Sequence, residues 1–175
     1  MRKLKNSELG RISVENFKNS KKSPIVVVLD NVRSALNVGS VFRTSDAFRI
    51  QKIYLCGITA TPPNKEIRKS ALGATESVKW EKVEDTESVI KKLKSEGYHI
   101  CAIEQTENST MLDNFVPPEK PIAVVFGHEV NGVQQSVVDL CNQSIEIPQI
   151  GTKHSLNISV SIGIVIWDLY KKIVI

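Results

Sequence analysis

A chain of 175 residues with 24% charged side chains is the size of one domain with a substantial core, and no stretch approaches the ~20 apolar residues of a membrane-spanning helix. Its three cysteines (Cys56, Cys101, Cys141) are odd in number, widely spaced and set among apolar residues. They read as reduced core thiols of a cytoplasmic protein, not as a zinc site or a disulfide framework. The net charge is +4, but residues 1–23 hold seven bases against two acids, and the remainder is slightly acidic. That basic segment has no apolar signal-peptide core; it suits contact with phosphate, and equally a solvated surface stretch.

In chain order, Pro24 to Leu29 is an apolar, β-branched run expected to form a strand buried on both faces. Val38 to Phe48 carries Val41, Phe42, Ser45 and Phe48 at helical spacing, and Ile53 to Cys56 is a second buried strand. A loop fixed by Pro62-Pro63 leads to a short helical stretch over Lys65 to Leu72, then to a third strand at Ser77 to Trp80. Asp85 to Glu96 is the clearest helix, with an acidic first turn and Gly97 as its stop. Tyr98 to Ile103 and Ile122 to Phe126 are strands, separated by a polar segment from Glu104 to Lys120. A helix at Gly132 to Cys141, a strand at Ser144 to Ile147 and a helix at Asn157 to Lys172 complete the chain. Strands alternating with helices predict an α/β domain with a mostly parallel sheet flanked by helices.

Three segments stand out. After the first strand, Asn37, Gly39 and Arg43 open a helix, with Arg43 one turn beyond Gly39 on the same face. Taken alone this is an anion site at a helix N-terminus, or equally an N-cap, a packing glycine and a surface arginine. The fifth predicted strand runs into Gly127-His128-Glu129-Val130-Asn131-Gly132, a turn at the sheet edge where ligands bind in α/β folds. Finally, Ile147-Pro148-Gln149-Ile150-Gly151 leads through Ser155-Leu156-Asn157 into an apolar helix, placing a rigid polar loop beside a dry wall.

In this order and at these separations the segments resemble the three motifs of the SpoU/TrmH-type RNA ribose 2′-O-methyltransferases of the SPOUT superfamily. Asn37, Gly39 and Arg43 match the first motif; Gly127, Glu129 and Gly132 the second; Ile147, Pro148, Gly151, Ser155, Leu156 and Asn157 the third. The resemblance covers residues 24–172. His128, Gln149 and Ser161 stand where a small polar residue, Met and Ala are more usual. The resemblance implies a methyltransferase domain at 24–175 behind a basic extension at 1–23, without the separate N-terminal RNA-binding domain of some members. It also implies a deep C-terminal trefoil knot from about Phe126 to the last helix, and a homodimer.

By the same resemblance the cofactor is S-adenosylmethionine, held among the knot loops by main-chain groups at Gly127, Ile147 and Leu156, with Gly132 and Gly151 shaping the loops, and no metal takes part. The partner is structured RNA, tRNA or rRNA. Arg43 is the family's catalytic arginine; Asn37, Ser155 and Asn157 are expected to fix the loops and the ribose hydroxyl. Glu129 is expected to anchor Arg43 or the second-motif loop. Helix capping by Ser155 and Asn157 is the plainer alternative for those two. A catalytically silent RNA-binding or ribosome-assembly factor on the same fold is the alternative for the whole chain. An ordinary nucleotide-binding domain ranks last, because neither Gly-x-Gly-x-x-Gly nor a Gly-Lys-Ser/Thr loop follows the first strand.

Overall fold

The first buried run does form a strand, and it becomes the centre of the sheet. In the computed structural model, which describes residues 1–175, β1 (Ser23–Asp30) pairs with β2 (Ile50–Cys56) on one side and β6 (Ile122–Phe126) on the other. The remaining strands are β3 (Trp80–Val83), β4 (His99–Ile103), β5 (Thr110–Met111) and β7 (Gln143–Glu146). Seven strands in the order β3-β2-β1-β6-β4-β7-β5 are parallel throughout. The helices are α1 (Val14–Asn19), α2 (Ala35–Ala47), α3 (Lys65–Ala71), α4 (Ala74–Ser77), α5 (Thr86–Ser95), α6 (Gln135–Val138) and α7 (Ile158–Ile173).

Alternation along β1 explains the three layers. Ile25, Val27 and Leu29 pack with α2, α3 and α7 residues such as Phe42, Ile67 and Ile166. Val26 and Val28 point to the other face, against Val89, Ile90 and Leu93 of α5. Both faces are dry, so the strand reads as a continuous apolar run.

Four expectations need correction. The third strand begins at Trp80, not Ser77, because Ala74–Ser77 closes a helical turn first, with Ser77 Oγ bonded to the Ala74 carbonyl. The helix expected over Gly132 to Cys141 is only α6: Gly132 takes φ +66, and the Val133 and Gln134 amides go to carboxylates instead of to a helix ladder. The polar segment after β4 contains β5, whose polar residues hid a short edge strand. The basic N-terminal segment carries α1, capped by Ser13 Oγ on the Asn16 amide, and buries Phe17 in the larger core cluster.

The strand order reverses between β1 and β6. Connections from β1 run outward to β2 and β3, whereas the connection after β6 runs the other way, past β4 to β7, so the loops after β1 and β6 diverge and leave a crevice at their carboxyl ends. Asp30 closes the floor there. Its fully buried carboxylate accepts hydrogen bonds from Asn31 Nδ2 (2.9 Å), Thr86 Oγ1 (2.6 Å), the Gln134 amide (2.9 Å) and Gln134 Nε2 (2.8 Å). One side chain thus ties β1, the first turn of α5 and the segment after β6. Asp30→Ala strands several buried donors and should lower unfolding free energy by about 3 kcal/mol or more in urea titration. A loss below about 1 kcal/mol would show that this carboxylate does not hold the three segments together.

Candidate active site at the switch point of the sheet

Helix α2 begins at Ser34, whose Oγ accepts the Asn37 amide (3.3 Å). The free amides ahead of it are taken by Glu129, delivered by the loop after β6. Glu129 Oε2 accepts from the Arg33 amide (2.9 Å), and Oε1 from the Ser34 amide (2.9 Å) and Asn37 Nδ2 (3.2 Å). A carboxylate at a helix N-terminus is favoured by both the unpaired amides and the macrodipole. Partial burial pushes this carboxyl up, but the Arg33 and Ser34 amides, its own amide and Asn37 outweigh that and hold it below the usual carboxylate range.

Asn37 passes the connection on. Its Oδ1 accepts from Asn157 Nδ2 (3.4 Å), and Asn157 Oδ1 in turn caps α7 through the Ser159 amide (2.9 Å) and Ser159 Oγ (2.6 Å). One polar chain, Glu129 to Asn37 to Asn157, therefore joins the three segments singled out in the sequence.

The second segment is a tight loop. A Cβ on Gly127 would lie 2.0 Å from the Gly132 carbonyl carbon and 2.1 Å from the Val133 nitrogen, so only glycine allows this approach. His128 and Gly132 exchange both backbone hydrogen bonds (3.0 and 2.8 Å). His128 Nδ1 accepts the Val130 amide (3.0 Å), bracing the loop from within as short polar side chains do in turns. From the end of β4, Glu104 takes the Val133 amide on Oε2 (3.0 Å) and the Gln105 amide on Oε1 (3.0 Å). Gln105 Nε2 reaches the His154 carbonyl (2.9 Å), bracing the third segment against the β4 end.

These loops surround a cleft of about 380 Å³, within the range of small-molecule sites. Phe126, Ile145 and Ile158 give it apolar walls. From Gln149 to Leu156 no backbone N–H bonds to another protein group, so the third segment presents unpaired main-chain donors along its length.

Of the residues singled out in the sequence, Gly127, Glu129, Gly132, Ile147, Ser155, Leu156 and Asn157 line the cleft. Gly151 does not; it is exposed on the outer part of its loop. Asn37 stands behind the lining, joined to it through Glu129 and Asn157. Arg43 lies one turn beyond Gly39 on α2, exposed and with no hydrogen bond or ion pair inside the chain. Of the two anchors expected of Glu129, Arg43 is not found: Glu129 ties the second-motif loop it sits on to the start of α2, while Gly39 packs against Ile67 and Ser70 of α3. Between the two candidate caps, Asn157 caps α7 and Ser155 does not. Asp30, Glu104 and Gln105 were not picked out from sequence, although a single carboxylate ending an otherwise apolar strand marks the first two.

The model of the SpoU rRNA Methylase family matches residues 24–167. The chain belongs to this family. It is 28% identical over 159 residues to a protein assigned to the TrmH family of tRNA/rRNA methyltransferases in Staphylococcus haemolyticus, covering 91% of this chain and 63% of that one. It is 30% identical to the mitochondrial rRNA methyltransferase 1 of Dictyostelium discoideum, covering 86% of this chain and 29% of that one. The chain thus spans less than two thirds of either relative. Among solved structures, the A. aeolicus TrmH/SpoU tRNA modifying enzyme superposes with a TM-score of 0.80 at 25% identity, over 91% of this chain and 81% of that one. An AdoMet-bound rRNA methyltransferase from Sinorhizobium meliloti gives 0.81 at 24% identity, over 91% and 61%. These superpositions share the parallel sheet and its flanking helices with this SpoU-family member.

Because Glu129 titrates below its ordinary value when folded, its contribution is fully present above about pH 4.5 and is lost as pH falls through the lowered folded value. Glu129→Gln turns an amide nitrogen toward a backbone donor. It should cost about 1–3 kcal/mol at pH 7, and the gap to the parent should close as pH falls through the lowered folded value. Urea unfolding of both proteins across that range checks this; a gap independent of pH would contradict the charge-based account.

Proposed function

We propose that this chain is a methyltransferase domain that transfers a methyl group from S-adenosylmethionine to a ribose 2′-hydroxyl of tRNA or rRNA. The observation that carries the reading is the Glu129–Asn37–Asn157 chain, which brings the three family segments to one cleft at the switch point. The apolar walls, the cleft volume and the unpaired main-chain donors of Gln149, His154, Ser155 and Leu156 fit a nucleoside-bearing cofactor. Support also comes from relatives: one superposed structure is AdoMet-bound, and another concerns 2-OH methylation of C/U34 on tRNA (TM-score 0.75, 20% identity).

In this reading S-adenosylmethionine supplies the electrophilic methyl group when bound. Main-chain groups at Gly127, Ile147 and Leu156 hold it, Gly132 gives the second loop its turn, and Gly151 gives the third loop its bend. Asn37 and Asn157 fix the loops relative to α2 and α7, and Ser155, whose hydroxyl has no partner in the chain, offers a hydrogen bond to the ribose. Arg43 binds the phosphate beside the target ribose and stabilises charge developing on the hydroxyl oxygen. A guanidinium with a pKa above about 12 is no base at neutral pH, so removal of the hydroxyl proton falls to another group. The bases of the 1–23 extension add phosphate contacts, and the family's trefoil knot is taken to wrap the segment from Phe126 into α7.

The same reading includes a homodimer. Helix α7 buries Ile162, Val165, Ile166 and Leu169 but leaves Val160, Ile164 and Trp167 half exposed along its other side, around a Gly163 that has open space before it. A second copy of this flat apolar stripe is a suitable occupant. Trp167→Glu should therefore shift the protein from dimer to monomer in sedimentation velocity while circular dichroism remains unchanged; an unaltered dimer would place the interface elsewhere.

The decisive test of chemistry is Arg43→Ala. The variant should fold, bind cofactor normally and lose most methyl transfer, since the interaction acts mainly in the transition state. Arg43→Lys should recover little, because an ammonium does not reproduce a planar fork on phosphate. Single-turnover methylation of total tRNA and rRNA, with 2′-O mapping and thermal melting as the folding control, reads both. Near-parental rates in folded Arg43→Ala would remove Arg43 from the site. Cofactor binding by the parent with no transfer to any RNA would favour the silent RNA-binding factor.

A further inference from the structure

The cleft has an unusual charge for a protein of net +4. Three carboxylates line it, from Glu104, Glu129 and Glu146, and no lysine or arginine does; the only other ionisable lining groups are His128 and His154. All three glutamates are half-buried, and none forms an ion pair. Neutral donors hold them instead: the Val133 and Gln105 amides on Glu104, the α2 amides on Glu129, and Ser109 Oγ (2.7 Å) on Glu146. Their negative charge is fixed in place and left uncompensated within the protein. Such a wall repels phosphate and favours a cation.

Methyl transfer returns the S–CH₃ bonding pair to sulfur while the new O–CH₃ bond forms and the hydroxyl proton leaves. Donor and product therefore differ by one positive charge: S-adenosylmethionine carries a sulfonium, an ammonium and a carboxylate, whereas S-adenosylhomocysteine lacks the sulfonium. Resting on the cofactor site proposed above, we infer that Glu104 and Glu146 are specificity-determining residues that make the cleft discriminate by charge, retaining the methyl donor and releasing the demethylated product.

The two residues lie outside the matched motif positions, Glu146 at the end of β7 and Glu104 just after β4; the charge of Glu146 is separable from the loop geometry, whereas Glu104 also holds the Val133 and Gln105 amides. A cleft of about 380 Å³ keeps a bound charge close to its walls. At effective dielectric constants between those of protein and water, each half-buried carboxylate within ~10 Å of the added charge is worth roughly a two- to five-fold preference. Together they predict a preference of about ten-fold or more at low salt, shrinking as salt screens the exposed side of the cleft.

Calorimetric titration of the full chain with S-adenosylmethionine, S-adenosylhomocysteine and sinefungin tests this, the last carrying an amine-bearing carbon in place of the sulfonium. Both cationic ligands should bind about ten-fold more tightly than S-adenosylhomocysteine at low salt. Glu146→Gln keeps an acceptor for Ser109 and should narrow the preference roughly two- to five-fold with little change for the neutral product. Glu104→Gln should narrow it likewise, but it also sets an amide nitrogen against one of two backbone donors, so Glu146→Gln and the salt series are the cleaner measurements. Equal affinities for the three ligands, or a preference untouched by both salt and Glu146→Gln, would overturn the inference while leaving the cofactor site intact. Binding of none of them would overturn the cofactor site itself.

Discussion

The site depends on one carboxylate placed where a helix begins. Without Glu129, the amides ahead of α2 would have to find water, and nothing else would tie that helix to the loop after β6. The parallel sheet makes the bond possible by setting β1 beside β6, so that both carboxyl ends point into the same crevice. Chain order would separate the two loops by nearly a hundred residues, whereas strand order makes them neighbours. Asn37 then extends the same hydrogen-bond chain to Asn157, which adds α7 to the assembly. Each member is half-buried or exposed alone. Their value lies in being connected, because a network with every donor placed is stiffer than its parts.

Below this chain sits a second and drier one. Asp30 gathers α5 and the segment after β6 under the crevice, while Glu104 and Gln105 hold the far side of that segment and the third loop. Acidic side chains thus staple backbone amides at the ends of β1 and β4 and in the loop after β6. The consequence is a cleft whose fixed charges are negative in a protein whose excess of bases lies in residues 1–23. Such an interior disfavours phosphate. In the proposed reaction, which joins a polyanionic acceptor to a cationic donor, a negative interior would favour the donor alone.

Much of this architecture was legible in the sequence. Period-two burial does not appear in β1 because both its faces are dry, yet the β-branched run alone identified it, and the same held for β2 and β6. The motif residues Gly127, Glu129, Gly132, Ile147, Ser155, Leu156 and Asn157 do meet at one cleft. What escaped reading follows a pattern. β5 is two polar residues at an edge, recognisable only by the β7 backbone beside it. The expected helix after Gly132 is cut short because Glu104 and Asp30, distant in sequence, capture its first amides. Phe17 looked like part of a solvated arm, and only the core it fills shows otherwise. In each case a tertiary partner overrode the local signal, and no local pattern encodes such a partner.

Arg43 shows the same limit from the other side. Helical spacing placed it correctly beyond Gly39, but spacing carried no information about its partner, and the structure gives it none within the chain. An exposed guanidinium without a carboxylate keeps all five donors available for an incoming phosphate. Had Glu129 paired with it, that capacity would have been spent in the free protein and would have to be recovered on RNA binding. By committing Glu129 to the α2 amides, the fold both rigidifies the helix that carries Arg43 and leaves its charge unneutralised. Backbone hydrogen bonds thus fix the start of the helix that carries the arginine, and in the proposed reaction its free charge is what would meet the substrate phosphate.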